Sequence, residues 1–220
     1  MRIGIITGVE AEAKAFLAAE GGVHSVAGAF AIRSLTLGGH AINITCCGVG
    51  KVNAAMAATQ MATQGVDLLM IIGTAGRLRA LNGECFDVVD AFQHDYGASR
   101  DQGFAHYNAG SWPIGDAILS PFVAMPLPDI GLPKARIVSG DSFIESATQA
   151  DWLRDSLAAD LVDMETAALA QVATKLGLPW AAIKATTDEA NGASGNDFEA
   201  NLARAAAVAA AAAERVIAQF

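Results

Sequence analysis

The chain has 220 residues, with 14 Lys or Arg against 23 Asp or Glu, a formal net charge of −9 and a pI near 4.8. Nucleic-acid binding and docking on an anionic membrane both need a basic face that displaces counterions, so this charge balance argues against either as a partner. With 53% apolar residues, 17% charged and a mean hydropathy of +0.35, the chain is too apolar for disorder and long enough to bury one sizeable core, which predicts a single domain over residues 1–220.

Strands alternate with helices along the chain. Arg2–Thr7 is a β-branched run stopped by Gly8, and Glu10–Ala19 has helical composition. Ala31–Leu37 and Ala41–Cys47 read as strands, and Gly48-Val49-Gly50 breaks the second before a helix over Val52–Thr63. Leu68–Ile72 is a fully apolar strand stopped at Gly73, and Cys85–Gln93 is another strand. Residues 95–134 hold five of the six prolines and read as loops and short strands. Arg136–Val138 is a strand, Thr148–Ala158 a helix, and Asp163–Leu176 a helix with Asp163 as N-cap and Gly177 as its stop. Trp180–Ala185 is a strand, and Phe198–Gln219 a long Ala-rich helix. Such alternation predicts an α/β fold with a central mixed, partly parallel sheet flanked by helices, and ligands in that class sit at the carboxyl ends of strands.

The apolar runs Leu68–Gly76 and Ala205–Ala213 are each about half the ~18 residues a membrane span requires. Glu10, Glu12 and Lys14 interrupt the N-terminal stretch before a signal-peptide core could form. Three cysteines, Cys46, Cys47 and Cys85, two of them vicinal, fit a reducing cytoplasmic setting without a disulfide framework.

Several motifs fail on inspection. Gly48-Val49-Gly50-Lys51 resembles part of a nucleotide loop, but Thr45 stands where a P-loop needs its first Gly, and Val52 where it needs Ser or Thr. Asn53 occupies the third Gly position of a dinucleotide fingerprint. His24, His40, His94 and His106 lack metal-ligand spacing, so no metal site is expected, and no Gly-x-Ser-x-Gly elbow of a serine hydrolase occurs.

Three carboxylates lie just past strand ends: Glu12 after the first strand, Glu165 after Asp160–Val162, and Asp188 after Trp180–Ala185. Each also fits a plain structural role, because acids in the first turn of a helix complement its dipole and Asp caps turns. Phe143 fits core packing equally well, and Thr74 in Gly73-Thr74-Ala75-Gly76 fits an ordinary turn.

Taken together and in order, the segments resemble the nucleoside phosphorylase/nucleosidase superfamily, and within it the 5′-methylthioadenosine/S-adenosylhomocysteine nucleosidases. The resemblance rests on MRIGIITGVEAEA (Met1–Ala13), GVGKVNAAM (Gly48–Met56), GTAG (Gly73–Gly76), VSGDSFI (Val138–Ile144), VDMETAA (Val162–Ala168) and KATTD (Lys184–Asp188), and it covers nearly the whole chain. It implies that Asp188 is the general acid protonating a leaving purine and Glu12 the general base on water. It further implies that Glu165 bonds the ribose hydroxyls with Met164 against the sugar, that Phe143 stacks on the base and that the Ile144 backbone reads the adenine edge. Thr74 is implied near the water, and Val49 and Phe198 around the 5′ substituent. A homodimer without metal or cofactor is implied as well. The chemistry agrees with two carboxylates in opposed protonation states: cleaving a ribosyl–nitrogen bond passes through an oxocarbenium-like state, the purine must leave protonated, and burial is what keeps a carboxylic acid protonated near neutral pH.

The same fold serves phosphorylases, which hold phosphate with arginines. The resemblance places such an Arg at Ile71 and another in the first loop, where this chain has Glu10 and Glu12. Hydrolysis of a 5′-thioadenosine is therefore the expected reaction. A purine nucleoside phosphorylase, a hydrolase of another 5′-modified nucleoside such as futalosine, and a catalytically silent nucleoside binder are the alternatives. Asp163 stands where the family more usually has Glu, Lys184 where Arg is common, Arg77 where a small residue is usual, and Gln93–Pro113 matches only in part.

Overall fold

The computed structural model describes all 220 residues. β1 (Arg2–Thr7) is buried from Ile3 onward, as its β-branched run predicts. α1 (Glu10–Ala15) stops short of the expected Ala19. Tertiary contacts override helical propensity there: Phe16 is extended and fully buried, Leu17 has φ 44°, and the Arg33 guanidinium donates to the carbonyls of Ala13, Phe16, Leu17 and Glu20. β2 (Val23–Ala27), β3 (Phe30–Leu37) and β4 (His40–Cys46) form an antiparallel meander. β2 carries no hydrophobic alternation because almost all of it is exposed, so the sequence gives no signal for it.

α2 (Lys51–Thr63) leads to β5 (Leu68–Arg77), which does not end at Ile72. Gly73–Gly76 continues the strand instead of forming the expected turn. The small residues Gly73, Thr74 and Ala75 let it keep pairing with the last strand in chain order, Gly73 opposite Lys184 and Thr74 opposite Ala185. β6 (Cys85–Gln93) follows, and β7 (Gly97–Arg100), β8 (Gly103–His106) and β9 (Phe122–Val123) are the short strands of the irregular region. Then come β10 (Lys134–Ser139), α3 (Ala147–Leu157), β11 (Leu161–Asp163) and α4 (Thr166–Leu176). Asp163 therefore ends a strand and does not cap the helix by position. Glu165 holds the cap position, while the Asp163 carboxylate still accepts the N–H groups of Glu165 and Thr166 at 3.3 and 3.1 Å. Gly177 terminates α4 in the left-handed region at φ 67°, as expected. β12 (Trp180–Asp188) runs past Ala185 to include Asp188, and α5 (Ser194–Ile217) begins before Phe198.

The main sheet has ten strands in the order β11-β10-β6-β12-β5-β1-β4-β3-β2, with β9 added on β6. β1, β4, β5 and β12 pair in parallel, whereas β12 and β6 are antiparallel, so the sheet is mixed. One end curls until β11 also pairs with β5, placing Val162 beside Gly76. Residue alternation sends each strand into two cores. Ile6, Leu69 and Ile71 pack with α2 and α4, while Ile3, Ile5, Met70 and Ile72 pack with α5. Alanine-lined helices lie close on both faces, which explains the Ala-rich tail: Ala205, Ala209, Ala210 and Ala213 are buried on α5. No helix is long and apolar enough to cross a membrane. The parallel strands deliver their carboxyl ends, with the loops that follow, to one rim of the sheet.

Candidate active site

That rim surrounds a cavity of about 430 Å³. The nine residues singled out from the sequence, Glu12, Val49, Thr74, Phe143, Ile144, Met164, Glu165, Asp188 and Phe198, all line it. They come from segments far apart in the chain, and only the sheet brings them together.

Glu12 sits in α1 directly after β1, buried, with its carboxylate turned back on the strand end. Its Oε2 accepts the N–H groups of Gly8 (3.0 Å) and Val9 (3.1 Å), and its Oε1 accepts the Thr74 N–H (2.7 Å) and hydroxyl (2.8 Å). An ionised carboxylate offers about four lone-pair sites, so all are occupied. Gly73 makes room for this arrangement: it has φ 150°, and a Cβ there would lie 2.5 Å from the Glu12 carboxyl carbon.

Asp188 ends β12 beyond a register shift that begins after Thr186 and turns its carboxylate inward. Its Oδ2 accepts the Thr187 hydroxyl (2.8 Å) and its Oδ1 the Ala190 N–H (3.0 Å), with Ala190 in the left-handed region at φ 48°. Asn201 braces this segment from α5 by donating to the Thr187 carbonyl at 2.9 Å, a contact no local sequence pattern announces. Arg77, unexplained by the resemblance, braces the other side. It donates to the Thr186 hydroxyl (2.9 Å) and the Gly83 carbonyl (2.8 Å), and Glu189 lies 3.7 Å away.

Glu165 is buried and lines the same cavity. Its Oε1 accepts the Gly50 N–H at 2.8 Å. Beneath it, Lys184 and Asp163 form a fully enclosed ion pair at 2.9 Å. Asp163 also accepts hydroxyls from Ser139 and Thr166. Burial raises the Glu165 pKa to about 7, with the Asp163 charge adding to the rise and Lys184 opposing it. Burial alone would lower the Lys184 pKa, but Asp163, then Glu12 and Glu165, hold the ammonium above its ordinary value. Asp163 and Lys184, two of the residues that depart from the resembled pattern, are thus partners of one another.

The remaining wall is apolar. Phe143 meets Phe198 edge-to-face with ring centroids 5.8 Å apart, and Phe143 is half exposed with a free face available to a planar ligand. Five carboxylates line the cavity, Glu12, Asp163, Glu165, Asp188 and Glu199, and no Lys, Arg or His does. Ile71, where the resemblance would place a phosphate-binding Arg, is wholly buried in the core.

A mixed α/β sheet with a carboxylate-lined cleft at its strand ends defines the class. Residues 2–218 match the sequence model of the phosphorylase superfamily, and the chain belongs to that family. A 5′-methylthioadenosine/S-adenosylhomocysteine nucleosidase of Staphylococcus aureus (strain MRSA252) is 30% identical over 186 residues, covering 80% of this chain and 81% of that protein. A Helicobacter pylori nucleosidase of the same name superposes with a TM-score of 0.86 at 21% identity, covering 100% of this chain and 99% of the other. Futalosine hydrolase of H. pylori strain 26695 superposes at 0.83 with 22% identity, covering 100% and 98%.

Two predictions follow from this geometry. Gly73→Ala forces a Cβ into Glu12 and strains the backbone, so it should destabilise the protein by about 1–3 kcal/mol. An unshifted denaturation midpoint would show that Glu12 moves freely aside. Glu165 has a folded pKa of about 7, above its unfolded value, so its protonated form stabilises the fold at low pH and that stability is lost as pH rises through 7. Glu165→Gln should therefore melt at least about 2 °C above wild type at pH 8, the shift about 1 kcal/mol produces in a chain of this size. The gap should close by pH 5, and a gap that persists there would point to packing and not ionisation.

Proposed function

We propose that the protein hydrolyses the N-ribosyl bond of an adenosine bearing a 5′-thio substituent, 5′-methylthioadenosine or S-adenosylhomocysteine, to adenine and the free 5-thioribose. The observation that carries this reading is the cavity lining of five carboxylates without a cation. Such a field favours positive charge developing on a sugar and repels phosphate, so water is the nucleophile. The family membership and the 30% identity to a nucleosidase support the same reading.

In this reading Phe143 stacks on the purine and the Ile144 backbone meets the adenine edge. Glu165 accepts the ribose hydroxyls, and Met164 lies against the sugar. Val49 and Phe198 flank the 5′ group. The proton of the Asp188 carboxyl passes to the purine N7 as the C1′–N9 bond breaks and its electron pair stays on the base. Water adds to C1′ and gives its proton to Glu12. Because every lone-pair site on Glu12 is already taken, one donor must yield. The Thr74 hydroxyl is the only one of the four that can rotate, so Thr74 frees the acceptor site and contacts the water in its place. The reaction as written uses neither metal nor cofactor.

The protein is further proposed to act as a homodimer in the cytoplasm. Val52 and Met56 on α2 and Trp112, Ile114 and Ile118 in the following irregular region are exposed apolar side chains of the kind that a second copy covers. Cys46, Cys47 and Cys85 are free thiols, in keeping with a reducing compartment.

Incubation with 5′-methylthioadenosine in phosphate-free buffer should release adenine and free methylthioribose at a rate that added phosphate leaves unchanged. Phosphate-dependent release with formation of a sugar 1-phosphate would establish phosphorolysis, and turnover of futalosine alone would move the substrate assignment. Asp188→Asn should fold normally and lose at least about 10²-fold in kcat, the lower bound for general-acid help. An unchanged kcat would remove Asp188 from the mechanism.

A further inference from the structure

Lys51, left over from the failed nucleotide-loop motif, and Asp95, in the stretch that matches the family only in part, meet beside the cavity. The Lys51 ammonium donates to the Asp95 Oδ1 at 2.6 Å and to the Gln93 Oε1 at 3.2 Å. The Asp95 Oδ2 accepts the Asp141 N–H at 2.9 Å. The Asp141 Oδ1 accepts the Lys51 N–H at 2.8 Å. Three residues from three separate segments, the start of α2, the exit of β6 and the exit of β10, therefore close a ring of hydrogen bonds.

The ring joins two walls of the cavity. Lys51 follows Gly50, whose N–H holds Glu165, and Asp141 precedes the Ser142–Ile144 segment that carries Phe143. Gly50 has φ 104°, and a Cβ there would lie 3.1 Å from the Asp141 Oδ1, so the two walls are also in close contact at the backbone. The ring is half-enclosed, with side-chain exposures of 19% for Lys51 and 29% for Asp95. Burial opposes ionisation of Asp95, but the bonds from Lys51 and the Asp141 N–H hold its carboxyl below the usual range, so it stays charged at neutral pH. Its neighbour His94 fixes its place: the imidazole is buried against Gly140, where a Cβ would lie 2.4 Å from the ring.

We infer that Lys51, Asp95 and Asp141 form a positioning ring that sets the distance between the sugar-facing wall at Gly50–Glu165 and the base-facing wall at Phe143, with Asp95 as the residue that holds it closed. None of the three touches reacting atoms. Their effect falls on how well the cavity is shaped before a nucleoside enters, so losing the ring weakens binding of ground and transition states alike. The binding half of this inference rests on the proposed nucleosidase reading. The positioning half does not.

The test uses Asp95→Asn, Lys51→Met and the double variant in the full chain. Amide exchange in the free protein should quicken by about tenfold or more over residues 140–146 and 49–53 and nowhere else, because local opening there loses its tie. With 5′-methylthioadenosine, KM should rise about tenfold while kcat stays within about threefold, and the double variant should be no worse than either single one, since both break one ring. Asp95→Glu, which keeps the charge, should recover most of the affinity. Exchange at 140–146 equal to wild type, additive effects in the double variant, or a fall in kcat as large as that in kcat/KM would each overturn the proposal. If wild type turns over no 5′-thioadenosine, the functional reading fails, and the exchange data still decide the ring. Should Asp95→Asn not fold, Lys51→Met breaks the same contact from the other side and carries the same expectation.

Discussion

Lys184 and Asp163 form an ion pair with both side chains almost wholly out of solvent, and much of the architecture is arranged around it. Asp163 ends β11, Lys184 lies in β12, and the Asp163 carboxylate also binds Ser139 of β10 and Thr166 of α4. The Ser139 hydroxyl in turn accepts the Ala167 N–H at 2.8 Å. Four elements are thus locked at one point. A buried pair gains stability only when its remaining hydrogen-bonding capacity is filled, and here the hydroxyls and backbone N–H groups fill it. Removing either charge would strand the other in a site closed to water, at a cost of about 3–5 kcal/mol.

The same pair sets the electrostatics above it. One ammonium stands among Asp163, Glu12 and Glu165, and its nearest bond is to Asp163. Glu165 is left with burial and a neighbouring negative charge, which raises its pKa to about 7. The Glu165 carboxylate is consequently poised between its two protonation states near neutral pH. Asp for Glu at 163 shortens the acid, and Lys for Arg at 184 replaces a planar fork by a point charge, which one carboxylate oxygen suffices to hold. Each departure from the family pattern makes physical sense only beside the other.

The sheet and the lining were legible because they rest on local signals. Apolar runs such as Ile3–Ile6 and Leu68–Ile72 announce buried strands, and Gly8 marks the end of the first. The nine residues singled out from the motif segments all line one cavity. What could not be read is what depends on distant partners. The true ends of β5 and β12 depend on small residues facing one another across the pair, Thr74 with Ala185 and Ala75 with Thr186. The early end of α1 depends on Arg33, which lies two strands away. Asn201 and Arg77 act on the Asp188 segment through contacts separated by 14 and 109 residues, beyond any spacing rule.

The acidic balance of the chain acquires a mechanism once the cations near the cavity are located. Lys184 is bound to Asp163 beneath the floor, Lys51 to Asp95 beside one wall, and Arg77 to Thr186 and a backbone carbonyl beside another. Each positive charge at the site is bound to a partner and used to hold structure; Lys184 matches Asp163, while Glu12, Glu165, Asp188 and Glu199 line the cavity with no cation among them. At roughly 5 Å and an effective dielectric near 20, one such carboxylate changes the energy of a unit charge by about 3 kcal/mol. That is as large as a strong charge-assisted hydrogen bond, so an incoming phosphate would have to overcome repulsion without a single guanidinium or ammonium to receive it. The same field lowers the energy of a ribosyl cation as the base departs. For the proposed reaction, excluding phosphate and stabilising an oxocarbenium are therefore one electrostatic property of the cavity, and both follow from where the cations were placed.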